Sequence, residues 1–354
     1  MDGSLNGIQQ IGIGVTDAKA VFNWYRKYLG FDILVFEDES PATLMTQYTG
    51  GTIQNRYALL AMNMKGGGGL EIWQFKDRKP RKPEFALQWG DLGINAMKVR
   101  GNDIEKTHAQ LKRLQLPFLT EIDQTAESIP HFFFKDPWGN FVEVVSDFYS
   151  FCKTKSNCGG VLGAIIGVSD MEESIVFYQK LLEYDIIASD DTEIFDDFDS
   201  LPKGRHSFRR VLLTHSSRKV GGFGELLGPT VIELIQVLDR IPKRNFENRF
   251  WGDLGYIHLC FDVQGMLPLQ IEAAKLKYPF TVDSTDSFDM GESAGHFGYV
   301  EDPDGTLIEF VETHKVPIFK RLGLYINLKK RNPRKPLPKW IVKAMRIHRV
   351  FKNR

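Results

Sequence analysis

The sequence predicts an α+β protein built from four βαβββ modules, and three observations predict it. The stretch Asp17–Ile33 recurs without a gap as Asp170–Ile186. Trp89-Gly-Asp-Leu-Gly93 recurs as Trp251-Gly-Asp-Leu-Gly255, and Asp136-Pro-Trp-Gly139 as Asp302-Pro-Asp-Gly305. Three blocks in a fixed order mean two homologous halves, so equivalent residues can be compared within the chain. Inside each half, the apolar period changes from strand to helix and back twice, giving two modules per half.

The elements follow in order. Ile8–Val15 reads as a strand of apolar and small residues. Asp17 is a helix N-cap, Val21, Trp24, Tyr25, Tyr28 and Leu29 keep helical spacing, and Gly30 stops the helix. Strands are expected around Phe31–Phe36, Tyr57–Met62 and Leu70–Phe75, with the glycine run Gly66–Gly69 as a turn before the last. No Lys-Ser/Thr and no helix follow those glycines, so a phosphate loop is not indicated. The second module comprises a strand at Ile94–Val99, a helix at Asp103–Leu114 and strands at Phe118–Glu121, Ile129–Phe134 and Asn140–Val145. A linker falls near Ser146–Gly160; Val161–Val168 opens the third module and Ile257–Val263 the fourth. The expected domains are 1–147, a linker at 148–160, 161–315, and a tail at 316–354.

Composition bounds the function. At 354 residues the chain can hold two cores and an extension. Three cysteines, Cys152, Cys158 and Cys260, lack paired zinc-ligand spacing and suit a reducing compartment. No signal peptide or spanning apolar run is evident, so a cytoplasmic protein is expected. The net charge of zero hides an asymmetry: residues 316–354 hold 13 Lys/Arg and no acid, and the rest holds 32 basic against 45 acidic side chains. Lys339–Lys352 reads as a helix with Trp340, Ala344, Ile347 and Phe351 on one face. Such a segment suits an anionic membrane surface, an acidic partner, or the protein's own acidic body. Nucleic-acid binding has no supporting fold. The acidic stretch Asp190–Asp199, with Phe195 and Phe198 within it, reads as a solvated loop near a cleft mouth.

The module order, the Asp…Phe/Trp-Tyr…Leu helix and the two Asp-Pro-x-Gly-x-x-x-Glu closures resemble the vicinal oxygen chelate superfamily of glyoxalases, bleomycin-resistance proteins and ring-cleaving dioxygenases. The resemblance covers residue 8 to about residue 313 and leaves the tail out. It implies paired modules curled into two half-open mixed-sheet barrels. It also implies one divalent metal ion, held by a residue from the first and the last strand of each module of a pair. Zinc is the first choice, with nickel, cobalt, manganese, iron or magnesium as alternatives.

Those positions are Gln10 and Glu71, Ala96 and Glu143, Gly163 and Glu233, and His258 and Glu309. The register is internal: Ala96 and His258 lie seven residues after their Trp, and Gln10 and Gly163 seven before their helix-opening Asp. Ala96 and Gly163 cannot bind metal, so the pairing of modules decides the site. Pairing neighbours leaves three donors in each barrel. Pairing one with four and two with three gathers Gln10, Glu71, His258 and Glu309 in one barrel and leaves Glu143 and Glu233 in a degenerate second site. The crossed pairing is favoured, because it resembles the ligand set of one form of glyoxalase I.

Three oxygen donors and an imidazole suit a hard or borderline ion with open positions for substrate. The expected activity is a glyoxalase-like lyase, isomerase or epimerase that moves a proton next to a chelated carbonyl of a small molecule. By resemblance Glu309 is the first candidate base and Glu71 the second. Gly14, Phe75 and Leu254 stand where glutathione-binding side chains would be expected, which argues against a glutathione hemithioacetal. A non-haem iron ring-cleaving dioxygenase is one alternative, weakened by Gly163 at the place of its first histidine. A non-catalytic small-molecule binding or resistance protein is another, with Trp73 and Phe75 lining a cavity. Glu143 and Glu233 could instead face solvent, His258 could be a core histidine, and His296 could stand behind the metal ligands or lie at the surface. Asp91 and Asp253 read as turn formers.

Overall fold

The computed structural model describes residues 4–217, 220–285, 288–290, 293–319, 324–328, 331–332 and 335–351. Two large mixed sheets make up the body. One runs in the order Val282–Asp283, Ser293–Glu301, Leu307–Thr313, Gly255–Gln264, Ser4–Gly14, Gly69–Phe75, Asn55–Met62, Ile33–Pro41, with Phe288–Met290 paired onto Ser293–Glu301. The other runs Ile186–Glu193, Phe208–Thr214, Val231–Val237, Cys158–Gly167, Gly93–Gly101, Phe141–Ser146, Pro130–Lys135, Asp123–Gln124. Modules one and four therefore share one curled half-barrel, and modules three and two share the other. The crossed pairing is the one the chain adopts.

Each seam is an antiparallel pair of opening strands. Gln10 lies opposite Cys260 and Gly12 opposite His258; in the other sheet Gly163 lies opposite Lys98 and Ala96 opposite Ile165. Each closing strand runs parallel to its opening strand, Gly69–Phe75 beside Ser4–Gly14 and Leu307–Thr313 beside Gly255–Gln264. Residues two apart on such strands share a face. The four ligand-bearing strands consequently lie side by side at the centre of the sheet.

The local signals behave as their chemistry requires. Asp17 caps the helix Ala18–Leu29 by accepting from the Ala20 amide, and Gly30 ends it at φ 79°. Asp170 caps Met171–Leu182 in the same way. The buried faces of these helices join one core running through both halves, in which fully buried side chains such as Phe22, Leu29, Phe177 and Leu181 each contribute roughly 1.5–3 kcal/mol. Within that core Tyr25 donates to Asp136 at 2.8 Å, and Tyr178 to Asp302 at 3.0 Å. The helix of one module is thus tied to the Asp-Pro-x-Gly turn of the next, which joins the two modules of each half although they lie in different sheets.

Asp91 and Asp253 do form turns, accepting from the Gln88 and Phe250 amides, and each also holds an arginine from the other half: Arg240 at 2.7 Å and Arg78 at 2.5 Å. The glycine run at Gly66–Gly69 is where interior strands of the two sheets touch, with Gly68 bridging to Val161. A Cβ on Gly67 would stand 2.5 Å from the Gly160 backbone, so a side chain there would push the sheets apart.

Two elements depart from expectation. Phe118–Glu121 is reduced to a single bridge from Phe118 to Phe134, after Pro117, which has no amide to donate to a ladder. The tail helix spans only Lys339–Ala344 and passes into a 3-10 turn at Met345–His348, after which Arg349 bridges to Ile33. Its packed side is Val342 with Leu337 and Met345, against Leu226, Leu227 and Leu60, while Trp340, Ile347 and Phe351 are exposed. Ion pairs Arg349–Asp32 at 2.9 Å and Lys339–Glu225 at 3.2 Å bind it to the body. Among the described residues, no helix is long and apolar enough to cross a membrane.

Candidate metal centre

The first half-barrel gathers the predicted residues. His258 is fully buried on Gly255–Gln264, and its Nε2 lies 3.1 Å from Glu71 Oε2 and 3.3 Å from Glu309 Oε2. One donor atom from each of Glu71, His258 and Glu309 falls within 4.8 Å of the others, a spacing that can hold a metal ion. Gln10 joins them through its Nε2, which donates to Glu71 Oε2 at 3.0 Å. Gly12 makes the arrangement possible: a Cβ there would stand 2.5 Å from the His258 ring.

The donor set fits a divalent ion on its own unsatisfied atoms. Both His258 ring nitrogens, Glu309 Oε2 and Gln10 Oε1 are buried and form no hydrogen bond. Buried polar atoms left without a hydrogen bond cost about 1–3 kcal/mol each, a cost that an ion bound to Glu309 Oε2, Gln10 Oε1 and one His258 nitrogen would relieve. The charges say the same. Burial pushes the Glu309 carboxyl up, His258 opposes it, Glu71 adds to it, and the result is about 7. Burial pushes His258 down, but Glu309 and Glu71 outweigh this and raise it. Two carboxylates around one imidazole lack the positive charge that a metal would bring.

Three further side chains complete the site and were not foreseen. Tyr299 and Cys260 hydrogen-bond to Glu309 and favour its charged form. The Tyr299 ring stands edge-on to His258, with centroids 5.7 Å apart, and Trp251 lies parallel to it at 6.3 Å. Tyr299 could have been found from the strand period, because it pairs directly with Glu309 across the ladder. His296 is out of phase with Phe297 and Tyr299, which line the cleft, and its ring meets Asp283. It is nearly buried, on the other face of its strand from the donors.

Gln10, Glu71 and Glu309 line a cleft of about 820 Å³ together with Trp73, Trp251 and Tyr299, and the fully buried His258 stands behind them. Trp73 lines the cleft as expected; Phe75 instead packs in the core beside Trp251 and under Arg78. The outer wall is made by the tail, through Leu337, Ile341, Val342 and Met345.

The second half-barrel keeps its two glutamates but fills the space between them. Glu143 and Glu233 are buried, not solvated, with Lys98 Nζ between them, 2.5 Å from Glu143 Oε2 and paired with Glu233 Oε2. Arg210 Nε reaches Glu233 at 2.6 Å and its Nη1 reaches Asp197 at 2.8 Å; His131 Nδ1 reaches Glu143 at 2.6 Å. Burial pushes the Glu143 carboxyl up, yet Lys98, His131 and Arg210 together hold it down at about 2. Of the stretch Asp190–Asp199, expected to be a solvated loop, Asp190–Glu193 belong to an exposed strand, whereas Phe195, Asp197 and Phe198 turn inward and are buried, with Arg210 over both rings.

Paired modules with ligand positions on their opening and closing strands define the vicinal oxygen chelate architecture. The chain belongs to the Glyoxalase/Bleomycin resistance protein/Dioxygenase superfamily, whose family model matches residues 7–144 and 161–310. Glyoxalase I from Zea mays superposes with a TM-score of 0.55 at 13% identity, covering 88% of this chain and 93% of that one. A putative dioxygenase from Bacillus subtilis superposes with a TM-score of 0.55 at 15% identity, covering 87% and 86%. At such identities these likenesses establish the fold alone. No curated protein sequence matches the chain significantly.

Proposed function

We propose that this chain is a metal-dependent enzyme that moves a proton next to a carbonyl of a small molecule, using one divalent ion held by Glu71, His258 and Glu309 with Gln10 beside them. One observation carries the reading: family-position donors converge, with unsatisfied buried atoms, beside an open cleft. A bound divalent ion would supply Lewis acidity to adjacent substrate oxygens. Glu309 is the proposed base, because its Oε2 is free of hydrogen bonds and its neighbours Tyr299 and Cys260 stabilise its charged form. Glu71 is already engaged by Gln10, which suits it to a steady ligand role. Trp251 and Tyr299 wall the imidazole and exclude water from it. The positions that depart from glutathione binding, Gly14, Phe75 and Leu254, favour another substrate.

The test is deuterium exchange at the carbon next to the carbonyl of 2-hydroxyaldehydes and 2-oxo compounds, followed by proton NMR on the zinc-loaded protein. Metal-dependent exchange lost in Glu309→Gln is expected. Oxygen uptake with catechols on the iron-loaded protein, without such exchange, would instead establish a dioxygenase. Stoichiometric ligand binding with neither reaction would establish a binding protein.

A further inference from the structure

The tail lies outside the repeated modules, yet it closes the cleft above the metal donors. Leu337 is buried against Leu226 and Leu227, its amide bonds Gly222, and Val350 bonds the Asp32 carbonyl, so the segment is fixed at both ends. Between those anchors Ile341 and Met345 line the cleft, as do Leu60 and Met62 of the sheet, and Met345 packs against the apolar cluster that holds those two. The cleft therefore has a lining of two kinds: the oxygen donors Gln10, Glu71 and Glu309, and apolar side chains of the sheet and the tail, among them Leu60, Met62, Ile341 and Met345. The charged groups near the mouth are largely matched, with Arg56 held by Asp38 at 2.6 Å and laid over Trp73. A cavity of this size takes a drug-sized ligand.

We propose that the substrate is amphipathic, with two oxygens on adjacent atoms at one end and an acyl or alkyl body at the other, and that the 337–348 segment selects for that body. The head would lie against Gln10, Glu71, His258 and Glu309, and the body between Leu60, Met62, Ile341 and Met345. The proposal rests on the metal reading for its head group, whereas the apolar slot stands on its own lining residues.

The experiment uses the full-length zinc-loaded chain and a series of hydroxamates, from aceto- through butano- and hexano- to octanohydroxamate, titrated by calorimetry. The head stays constant while the body grows. Affinity should rise about fourfold per buried methylene until the slot is filled. Ile341→Asp and Met345→Glu should each lose at least about tenfold for octanohydroxamate, by the same methylene scale, with acetohydroxamate affinity and zinc content unchanged. Ile341→Leu should behave as the parent chain, and Ile341→Ala gives a milder loss should the charged variants fail to fold. Affinity that is flat along the series, or insensitive to Ile341, would overturn the proposal and leave the metal reading intact. If the chain binds no zinc, the metal reading fails, and displacement of 1-anilinonaphthalene-8-sulfonate by octanoate then decides. Displacement weakened by Ile341→Asp supports the slot, and no displacement overturns it.

Discussion

The two half-barrels start from the same plan and solve the same electrostatic problem in different ways. Each brings two closing-strand glutamates into a buried space. In the second, Lys98 stands at the position of Cys260, Arg210 at that of Ala58 and His131 at that of Phe297, as the ladder registers show. The cations come from the protein itself, and Glu143 is held down at about 2. In the first, small or apolar residues stand at the same three places, Glu309 rises to about 7, and the space opens into a cleft. The difference teaches that what distinguishes a candidate active site from its silent copy is the source of the neutralising charge. One barrel carries that charge on its own chain, and the other lacks it there, which is what the proposed metal ion would supply.

The largest effect should come from removing the internal cation. Lys98→Ala leaves two buried carboxylates facing each other and should cost about 3–5 kcal/mol in urea denaturation, with no change in metal content. The matching change in the first barrel, Glu71→Gln, should abolish metal binding and leave the metal-free chain no less stable. A Lys98→Ala cost below about 1 kcal/mol, the range of an exposed ion pair, would remove the lysine from its proposed role.

Converting one barrel into the other is the next test. Cys260→Lys places an ammonium where Lys98 stands in the copy, and should displace the metal while the fold persists. Elemental analysis with circular dichroism reads both outcomes. Retention of a full equivalent of metal would break the equivalence between the barrels.

The pH dependence should also separate them. In the metal-free chain Glu309 titrates at about 7 instead of its ordinary 4.5. A raised acid contributes stability that is present below its unfolded value and lost as pH rises through the folded one. His258, raised by the same neighbours, acts in the same sense. Chelation should therefore cost little near pH 5 and most near pH 8, where a saturating metal raises Tm by on the order of 5–10 °C. Differential scanning calorimetry with and without chelator checks it, and a metal effect independent of pH would contradict the assignment of Glu309.

Much of this was legible in the sequence because it is local or repeated. Asp17 and Asp170 announce helix starts through their side chains, and the fixed offsets from Trp89, Trp251 and the two capping aspartates place the four opening-strand positions, Gln10, Ala96, Gly163 and His258. The crossed pairing could be argued from which copies had lost their donors, Ala96 and Gly163. The filling of the second barrel was harder to see. Lys98 sits in an ordinary alternating strand, and only three-dimensional convergence shows that it lies between Glu143 and Glu233. Asp197 looks like one acid among many until Phe195 and Phe198 carry it inward to Arg210. The tail's place over the cleft depends on contacts between residues about 300 apart, such as Arg349 with Asp32, which no local pattern encodes.

The smallest effect concerns what the halves still share. Asp17→Ala and Asp170→Ala each remove a helix N-cap and should cost about 1 kcal/mol apiece. Equal shifts in urea midpoint are expected, since these caps serve the fold in both halves alike. A markedly larger loss at either cap would show that the halves are not equally dependent on it.

The most direct test of the central claim is metal stoichiometry in paired variants, read by elemental analysis after chelation and reloading of the folded protein. The parent chain should hold one equivalent of divalent metal, Glu309→Ala should hold none, and Glu143→Ala should hold the same one equivalent as the parent. Metal lost in Glu143→Ala and kept in Glu309→Ala, or no metal in any of the three, would contradict the account.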